Sequence, residues 1–258
     1  MWFKSLLVGP SLNAPSSLRM IREQFLSTSR GGIVYDAARL RKPEAGMFTR
    51  AYWQERSQLE SMSGGRGTVS VLHSQEGDWI LRHYKRGGLA ARISADRYLW
   101  LGANATRSLR EWRLLAQLHD RGLPVPAPIA ARYERTGLLY RADIITARLS
   151  HARTLAQVIA EKSLDATAWR HIGQTIARFH AVGVHHADLN ANNIMLTDDA
   201  VYLLDFDRGR IRARGAWEGD VIARLQRSLE KLRTKHPELN YGEREWQALL
   251  AGVNAAVS

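Results

Sequence analysis

The sequence predicts an α+β protein of two lobes, in which an antiparallel sheet with one helix precedes a mostly helical second lobe. The first sign is a series of β-rich runs separated by turn residues, at residues 68–72, 78–84, 129–133 and 138–146. Beyond residue 150, apolar residues instead recur at the spacing of one helix face. We place the first lobe at residues 31–147 and the second at residues 148–258, after a loosely ordered segment at residues 1–30.

The composition is that of a globular chain that attracts anions. Of the 258 residues, 45% are hydrophobic, which is enough for a sizeable core. The lack of cysteine excludes disulfides, thiolate metal sites and a cysteine nucleophile, and no apolar stretch is long enough to span a bilayer. The formal net charge of +12 would attract nucleic acid, anionic lipid or a phosphorylated substrate, and charge alone does not choose among them.

The first lobe contains a candidate phosphate-binding loop. Residues 33–35 are a possible edge strand, and residues 48–53 predict a short helix that carries aromatic side chains into a core. A cluster with Gly64, Gly65 and Gly67 then leads into a strand. Because glycines let backbone N–H groups approach phosphates closely, the cluster predicts a lid over ATP. Its match to G-x-G-x-x-G is imperfect, and a flexible loop is the alternative.

The strand at residues 79–85 carries the candidate phosphate-binding cation. In the kinase pattern V-A-I-K, a strand lysine contacts the nucleotide phosphates and pairs with a glutamate of the next helix. Arg82 occupies this position, and Lys85, on the opposite face of the strand, is the second choice. The amphipathic helix at residues 106–120 supplies Glu111, which could reach Arg82. The competing interpretation is a solvated strand-end cation and a solvated helix-surface glutamate.

The second lobe follows a hinge expected at residues 147–150, where an adenine ring would lie against exposed backbone. Apolar spacing predicts helices at residues 154–161, 166–182, 220–233 and 243–255. A loop rich in Asp and Asn comes directly after the second of these helices. The chemistry-bearing residues are therefore expected between two helical segments.

That loop carries the most informative motif of the chain. His186, Asp188 and Asn193 match the signature H-x-D-x-x-x-x-N, and Asp205 follows a short apolar hairpin at the first position of D-F-G. Asp188 would orient an acceptor hydroxyl and accept its proton, while Asn193 and Asp205 would bind Mg²⁺ on the nucleotide phosphates. Asp and Asn also favour turns for local reasons. The ordered set, with strands at the expected places, nevertheless predicts a kinase-like phosphotransferase.

Two neighbours of the motif refine this prediction. His186 is better explained as a core histidine, hydrogen-bonded to the backbone near Asp205, than as a catalytic group. Asp207 stands where D-F-G has its glycine. This difference argues against a glycine-hinged activation switch and for an enzyme that is active whenever its substrates are bound.

These residues resemble the 3-deoxy-D-manno-octulosonic acid (Kdo) kinases of Gram-negative lipopolysaccharide core assembly, relatives of the lipopolysaccharide heptose kinases. The similarity extends to residues 65–68, 81–89, 123–131 and 140–143, of which R-H-Y-x-R-G-G-L is the most family-specific stretch. The resemblance implies a bilobal protein-kinase-like fold that uses ATP and Mg²⁺, with Asp188 as the catalytic aspartate. It also implies phosphorylation of the 4-OH of Kdo on a lipid A precursor.

The resemblance further implies a location at the cytoplasmic face of the inner membrane, as a peripheral protein. A basic chain would gather at that anionic surface. Four arginines between the predicted phosphate-binding strand and the helix of Glu111 are candidates for contacting the acceptor or lipid headgroups, with a solubilising surface as the alternative: Arg86, Arg92, Arg97 and Arg107.

Other functions remain open at this point. A small-molecule kinase of heptose or aminoglycoside type would have the same fold, although cationic acceptors match a basic protein poorly. Protein substrates are disfavoured because little sequence separates Asp207 from the next helix. Net charge also permits a non-catalytic nucleic-acid-binding protein, but the catalytic residues are present and recognition-helix, RRM and zinc patterns are not. We therefore expect no nucleic-acid partner. The sequence leaves the oligomeric state open.

Overall fold

The structure, a computed structural model, describes residues 20–61, 69–85 and 96–255. The chain divides into two compact units. The sheet unit contains the described residues up to 122 together with 126–148, and the helical unit contains residues 123–125 and 149–255. The predicted phosphate-loop residues Gly64, Gly65 and Gly67 lie outside the described residues, as do Arg86 and Arg92.

The sheet unit is built on one antiparallel sheet. Its strands are β1 (Glu23–Thr28), β2 (Gly31–Asp36), β3 (Leu59–Ser61), β4 (Val69–Ser74), β5 (Gly77–His83), β6 (Tyr98–Leu99), β7 (Pro128–Thr136) and β8 (Leu139–Ala147). They are ordered β1-β2-β7-β8-β5-β4-β3, and β6 pairs with β8. The turn between β7 and β8 requires Gly137, whose φ of 59° lies in the left-handed region.

The core of this unit confirms the predicted aromatic helix. A 3-10 turn, Ala45–Phe48, leads into helix α1 (Arg50–Gln54), and Met47, Phe48 and Trp53 are buried. They pack with apolar residues from β2, β4, β5, β7 and β8, including Ile33, Leu72, Trp79, Leu81, Ile129 and Ile145. Trp53 also donates from its indole N–H to the carbonyl of Met47 at 2.7 Å, so its polar atom is satisfied inside the core.

Residues 33–35 form a strand as predicted, but the prediction that it lies at the edge of the sheet is wrong. They belong to β2, which pairs with β1 on one side and β7 on the other. The outer strand, β1, comes from the segment expected to be loosely ordered. Most side chains of β1 are exposed, so its sequence lacks the apolar alternation that marks a half-buried strand, and backbone hydrogen bonds hold it in the sheet.

Helix α2 (Arg107–Asp120) packs on β7 and carries the predicted apolar stripe. Leu109, Trp112, Leu115 and Leu118 are all buried, and the chain leaves the helix through Gly122, with φ of 69°. The hydroxyl of Ser108 donates to the carbonyl of Arg132 at 2.8 Å, which fixes the start of the helix against β7. Glu111 therefore lies on the buried side of the helix, facing the sheet.

The helical unit contains four helices and several short strands. They are α3 (Leu155–Glu161), α4 (Ala166–Ala181), α5 (Trp217–Lys235) and α6 (Glu243–Ala255), with β9 (Arg153–Thr154), β10 (Val184–His185), β11 (Ile194–Leu196), β12 (Val201–Leu203) and β13 (Arg210–Ile211). Helices α4 and α6 approach closely at two glycines, since a Cβ on Gly173 or Gly252 would lie 2.0 Å from a carbonyl oxygen of the other helix. None of the helices in the described residues is long and apolar enough to cross a membrane.

Candidate active site

The predicted catalytic residues follow helix α4 in the helical unit. The chain leaves α4 through Gly183, whose φ is 77°, and a Cβ there would meet the carbonyl oxygen of Arg212 at 2.2 Å. Strand β10 pairs with β13, and β11 pairs with β12. The loop that contains Asp188 and Asn193 spans the gap between β10 and β11, and Asp205 follows β12. The elements thus place both ends of the motif beside one another.

His186 connects the two halves of the motif. It is 3% exposed, and its Nε2 donates to the carbonyl of Leu204 at 2.7 Å. The Nδ1 atom accepts from the backbone N–H of Asp188 at 3.3 Å. This pattern needs a neutral imidazole, and burial does lower the pKa of His186. The structural role predicted for His186 is confirmed.

Asn193 is fixed by bonds to both the catalytic loop and the D-F segment. The side-chain Nδ2 of Asn193 donates to the backbone carbonyl of Asp188 at 2.9 Å. The backbone carbonyl of Asn193 accepts from the N–H of Leu204 at 2.9 Å. Because the amide nitrogen is committed to the loop, the amide oxygen is the atom suited to a cation. The bond to Leu204 brings Asp205 next to Asn193, as the predicted metal pair requires.

The backbone at Asp205 turns into the left-handed region, with φ of 62°. Aspartate tolerates this conformation better than most residues, and such outliers concentrate at functional sites. The next residue, Phe206, is 1% exposed and stacks on Phe179 at 5.8 Å between ring centroids. The buried ring anchors the segment, so the aspartate side chain leaves it in a defined direction.

The donor types at this site fit a hard divalent cation. Mg²⁺ prefers carboxylate, amide and phosphate oxygens, and commonly takes only one or two carboxylates from the protein. Within the described ranges, no group of three or more His, Asp or Glu side chains could hold a metal alone. Asp205 and Asn193 would therefore need further oxygens from a ligand, which is the arrangement expected for a metal that binds together with nucleotide phosphates.

The carboxylate of Asp188 is held by a residue that the sequence did not single out. Arg224, on helix α5, donates from Nε to Oδ1 at 3.0 Å and from Nη2 to the same oxygen. The Asp188 side chain is 49% exposed and that of Arg224 is 46% exposed. The aspartate is therefore accessible to a ligand while one of its oxygens already has a charged donor.

The predicted pair of Arg82 and Glu111 is present in the sheet unit. Arg82 Nη2 lies 2.5 Å from Glu111 Oε1, and the carboxylate is 2% exposed. The hydroxyl of Tyr84 donates to the other oxygen, Glu111 Oε2. Tyr84 directly follows β5 and lies two residues from Arg82, so in an extended chain the two side chains share a face. Lys85 is exposed, so the geometry favours Arg82 as the residue held by the helix glutamate.

A second charged network crosses the same sheet. His83 and Asp143 are partners in the β5–β8 register, and His83 Nδ1 lies 2.6 Å from Asp143 Oδ1. Arg132 donates to the other oxygen of Asp143 from Nε at 3.0 Å and from Nη2 at 2.7 Å. The hydrogen bond to Asp143 raises the pKa of His83. Two of the stretches that carry the family resemblance, those of His83 and Asp143, meet in this network.

Sequence reasoning missed three of these contacts for different reasons. Strand alternation would have placed Tyr84 beside Arg82, so the signal for its bond to Glu111 was present. Asp143 lies in a stretch that was noticed, but only the strand register shows its partner. Arg224 stands 36 residues from Asp188 on a helix with many other cations, and nothing in the sequence distinguishes it.

Comparison with known proteins assigns the chain to a family. The family described as "Lipopolysaccharide kinase (Kdo/WaaP) family" matches residues 50–252, which contain all the described site residues. The chain belongs to this family. It is thus a member of a kinase family, which implies ATP as the phosphoryl donor.

Relatives of this Kdo/WaaP family member carry a more specific name. A protein of Xylella fastidiosa (strain M12) named 3-deoxy-D-manno-octulosonic acid kinase is 45% identical over 79% of this chain and 82% of its own. Proteins of the same name from Stenotrophomonas maltophilia (strain K279a), with 46% identity over the same shares, and Xanthomonas campestris pv. campestris (strain B100), with 44% identity over 86% and 88%, are similarly close. The predicted resemblance to Kdo kinases is confirmed.

Proposed function

We propose that this protein transfers the γ-phosphoryl group of ATP to the 4-hydroxyl of Kdo on a lipid A precursor, during lipopolysaccharide core biosynthesis. The observation that carries the proposal is the geometry of the catalytic loop. Hydrogen bonds through His186 and Asn193 connect the backbones of Asp188 and Leu204, and Leu204 directly precedes Asp205. The names of the relatives support Kdo as the acceptor sugar.

Each residue of the loop has a role in this reaction. The exposed carboxylate of Asp188 orients the sugar hydroxyl and accepts its proton as the oxygen attacks. Asn193 and Asp205 would hold Mg²⁺, which when bound neutralises charge on the phosphates. Phosphoryl transfer depends mainly on such positioning and charge stabilisation, so fixed backbone contacts around the loop contribute directly to the rate.

In the sheet unit, Arg82 would bind the nucleotide phosphates. Its ion pair with the buried Glu111 holds the guanidinium in one orientation, and the planar fork of donors suits phosphate oxygens. Tyr84 fixes Glu111 from the other side. This arrangement replaces the lysine and glutamate of other kinases with a more rigid arginine pair.

We further propose a peripheral location at the cytoplasmic face of the inner membrane. The acceptor is a lipid, and the net charge of +12 suits a surface of anionic lipid. The segment between Asp207 and α5 is short and contains only β13, which leaves little room for a peptide-docking activation segment. This supports a small or lipid-linked acceptor over a protein.

The test is to incubate the protein with ATP, Mg²⁺ and a panel of Kdo-lipid, heptosylated lipid and aminoglycoside acceptors, and to look for the mass of one added phosphate. We expect phosphate only on the Kdo-lipid, and tandem mass spectrometry should locate it on the Kdo 4-hydroxyl. Transfer to heptose or aminoglycoside instead would overturn the acceptor. RNA or DNA binding without ATP turnover would overturn the reaction.

The matched variants are Asp188→Asn and Asp198→Asn. Removal of the base should lower kcat by about 100-fold or more, while ATP binding and melting temperature stay near wild type. Asp198, an exposed residue of the turn between β11 and β12, should tolerate the same change. An Asp188→Asn enzyme within tenfold of wild type would refute the assigned role.

A further inference from the structure

Exposed leucines gather at one end of the sheet unit. Leu99, Leu101 and Leu138 are 56%, 75% and 73% exposed, which makes them prominent among the large apolar side chains of the described residues. They lie on two adjoining segments, because β6 pairs with the start of β8 and the N–H of Trp100 donates to the carbonyl of Leu138 at 2.9 Å. We call these three residues the leucine patch.

The leucine patch rests on a rigid aromatic base. Tyr98 is 7% exposed and packs on Tyr140 at 5.5 Å between ring centroids. Trp100 packs on Tyr133 at 5.0 Å and meets Tyr140 edge-on at 6.1 Å. Tyr98 and Trp100 alternate with Leu99 and Leu101 along the chain. Because the aromatic side chains are packed in place, the leucine side chains stay exposed to solvent. Exposed apolar side chains that gather at one end of a sheet indicate a surface that contacts a membrane or another protein.

Arginines surround the patch. The guanidinium of Arg135 lies over the Trp100 ring at 5.1 Å, and the N–H of Arg135 donates to the carbonyl of Arg30 at 2.7 Å. Arg97 precedes β6, and Arg141, in β8, pairs with Asp96 at 2.7 Å. These cations exceed the neighbouring acids, so the rim of the patch is positive.

We propose that the leucine patch enters the outer part of an anionic lipid bilayer and that the surrounding arginines contact its headgroups. Leucine side chains suit the boundary of the lipid acyl chains, and tryptophan suits the membrane–water interface. The long side chain of arginine can reach the headgroup phosphates. A contact between two copies of the patch would instead bring like charges together. The inference deepens the membrane location proposed above by naming its surface, and it does not depend on the acceptor.

The lack of cysteine in the chain allows a direct test. Leu101→Cys and Leu138→Cys variants are labelled with an environment-sensitive fluorophore, and Glu238→Cys, at an exposed position of the helical unit, is the control. With vesicles of mixed phosphatidylcholine and phosphatidylglycerol, we expect blue-shifted emission and quenching by spin-labelled acyl chains at residues 101 and 138 only. Phosphatidylcholine alone or added salt should weaken the signal.

A second variant separates the surface from the reaction. Leu99→Ser combined with Leu101→Ser and Leu138→Ser should lower partitioning into the mixed vesicles by about tenfold or more. Its melting temperature and its activity on detergent-solubilised acceptor should stay unchanged. Failure of phosphate transfer with normal labelling would refute the proposed function and leave this inference standing.

Three results would overturn the inference. One is vesicle binding that leaves both labels unshifted, which would assign the membrane contact to another surface. Another is undiminished partitioning of the triple serine variant. The third is a blue shift that needs no vesicles and grows with protein concentration, which would assign the leucine patch to a contact between protein molecules.

Discussion

Arg224 donates two hydrogen bonds to one carboxylate oxygen of Asp188, and so links helix α5 to the catalytic loop. In the proposed reaction, the second oxygen of Asp188 would bind the acceptor hydroxyl. In the same proposed reaction, the guanidinium would also attract an acceptor that carries carboxylate and phosphate groups. An exposed pair of this kind adds little to stability, so its effect should be seen in catalysis.

Arg224→Gln is expected to lower kcat/KM for the Kdo-lipid acceptor by about tenfold to hundredfold, the range for loss of a charged hydrogen bond. The KM for ATP and the melting temperature should change little. Steady-state kinetics with each substrate varied in turn measures both effects. Arg227→Gln, on the same helix and also exposed, is the control. Wild-type acceptor kinetics in Arg224→Gln would show that the pair has no part in the reaction.

The buried carboxylate of Glu111 makes the sheet unit sensitive to its partners. Arg82→Ala leaves a charge that is 2% exposed without its cation, which should destabilise the protein by about 3 kcal/mol and raise the KM for ATP. The double variant with Glu111→Ala should cost less stability than the sum of the two single changes. Urea denaturation and ATP titration measure the two effects.

Two further variants sharpen the test of this pair. Tyr84→Phe removes only the hydroxyl that donates to Glu111, and should cost about 1–3 kcal/mol. Lys85→Ala, at an exposed position, should leave the KM for ATP within about twofold of wild type, a change below 1 kcal/mol. If Lys85→Ala raised the KM and Arg82→Ala did not, the phosphate-binding residue would have been assigned to the wrong strand face.

We expect His186 to act as a positioning residue, since both of its ring nitrogens bond to backbone groups, the carbonyl of Leu204 and the N–H of Asp188. His186→Phe keeps an aromatic ring at this position and removes the bonds to the N–H of Asp188 and the carbonyl of Leu204, both partly buried, each at a cost of about 1–3 kcal/mol. We expect kcat to fall at least tenfold with a smaller change in either KM. His186→Gln, which can restore one bond, should recover part of kcat; equal losses in both variants would contradict this role.

The motif at residues 186–205 could be located from sequence because its chemistry is local. Asp188, Asn193 and Asp205 are joined by a short hairpin, so spacing alone brings them into one place. The left-handed backbone at Asp205 could not be predicted in the same way, since spacing carries no information on φ and the neighbouring packing of Phe206 on Phe179 is a tertiary contact. Local pattern therefore gave the identity of the loop residues, and tertiary contacts gave their orientation.

Two features at the surface of the sheet could not be predicted from the hydrophobic pattern of the sequence. Strand β1 was not predicted, because most of its side chains are exposed and its sequence does not alternate between apolar and polar residues. Leu99 and Leu138 look like ordinary strand residues in the sequence, and only the pairing of β6 with β8 shows that both lie exposed at the same end of the sheet. By contrast, α6 was predicted with its observed bounds, because both its apolar spacing and its termini are clear.

Burial of His180 predicts a loss of stability in acid. This side chain of α4 is 4% exposed, and burial lowers its pKa from 6.5 to about 4. The unfolded chain therefore binds a proton between these values that the folded protein does not. Stability is unaffected above pH 6.5 and falls as the pH drops, by about 2 kcal/mol at pH 5 from this group. Urea unfolding of wild type and His180→Gln at pH 7.5 and pH 5 measures the free energy of unfolding of each protein. On going from pH 7.5 to pH 5, wild type should lose about 2 kcal/mol more of this free energy than the variant does.

His83 should show the opposite dependence. Its hydrogen bond to Asp143 raises the pKa of the imidazole above 6.5, so the folded protein holds this proton more tightly than the unfolded chain. The stabilisation is complete below pH 6.5 and is lost as the pH rises through the raised pKa. His83→Gln should therefore destabilise the protein more at pH 5.5 than at pH 8.5 in the same urea experiment. A loss that is equal at both pH values would mean that His83 is uncharged beside Asp143, and that Arg132 alone compensates the carboxylate.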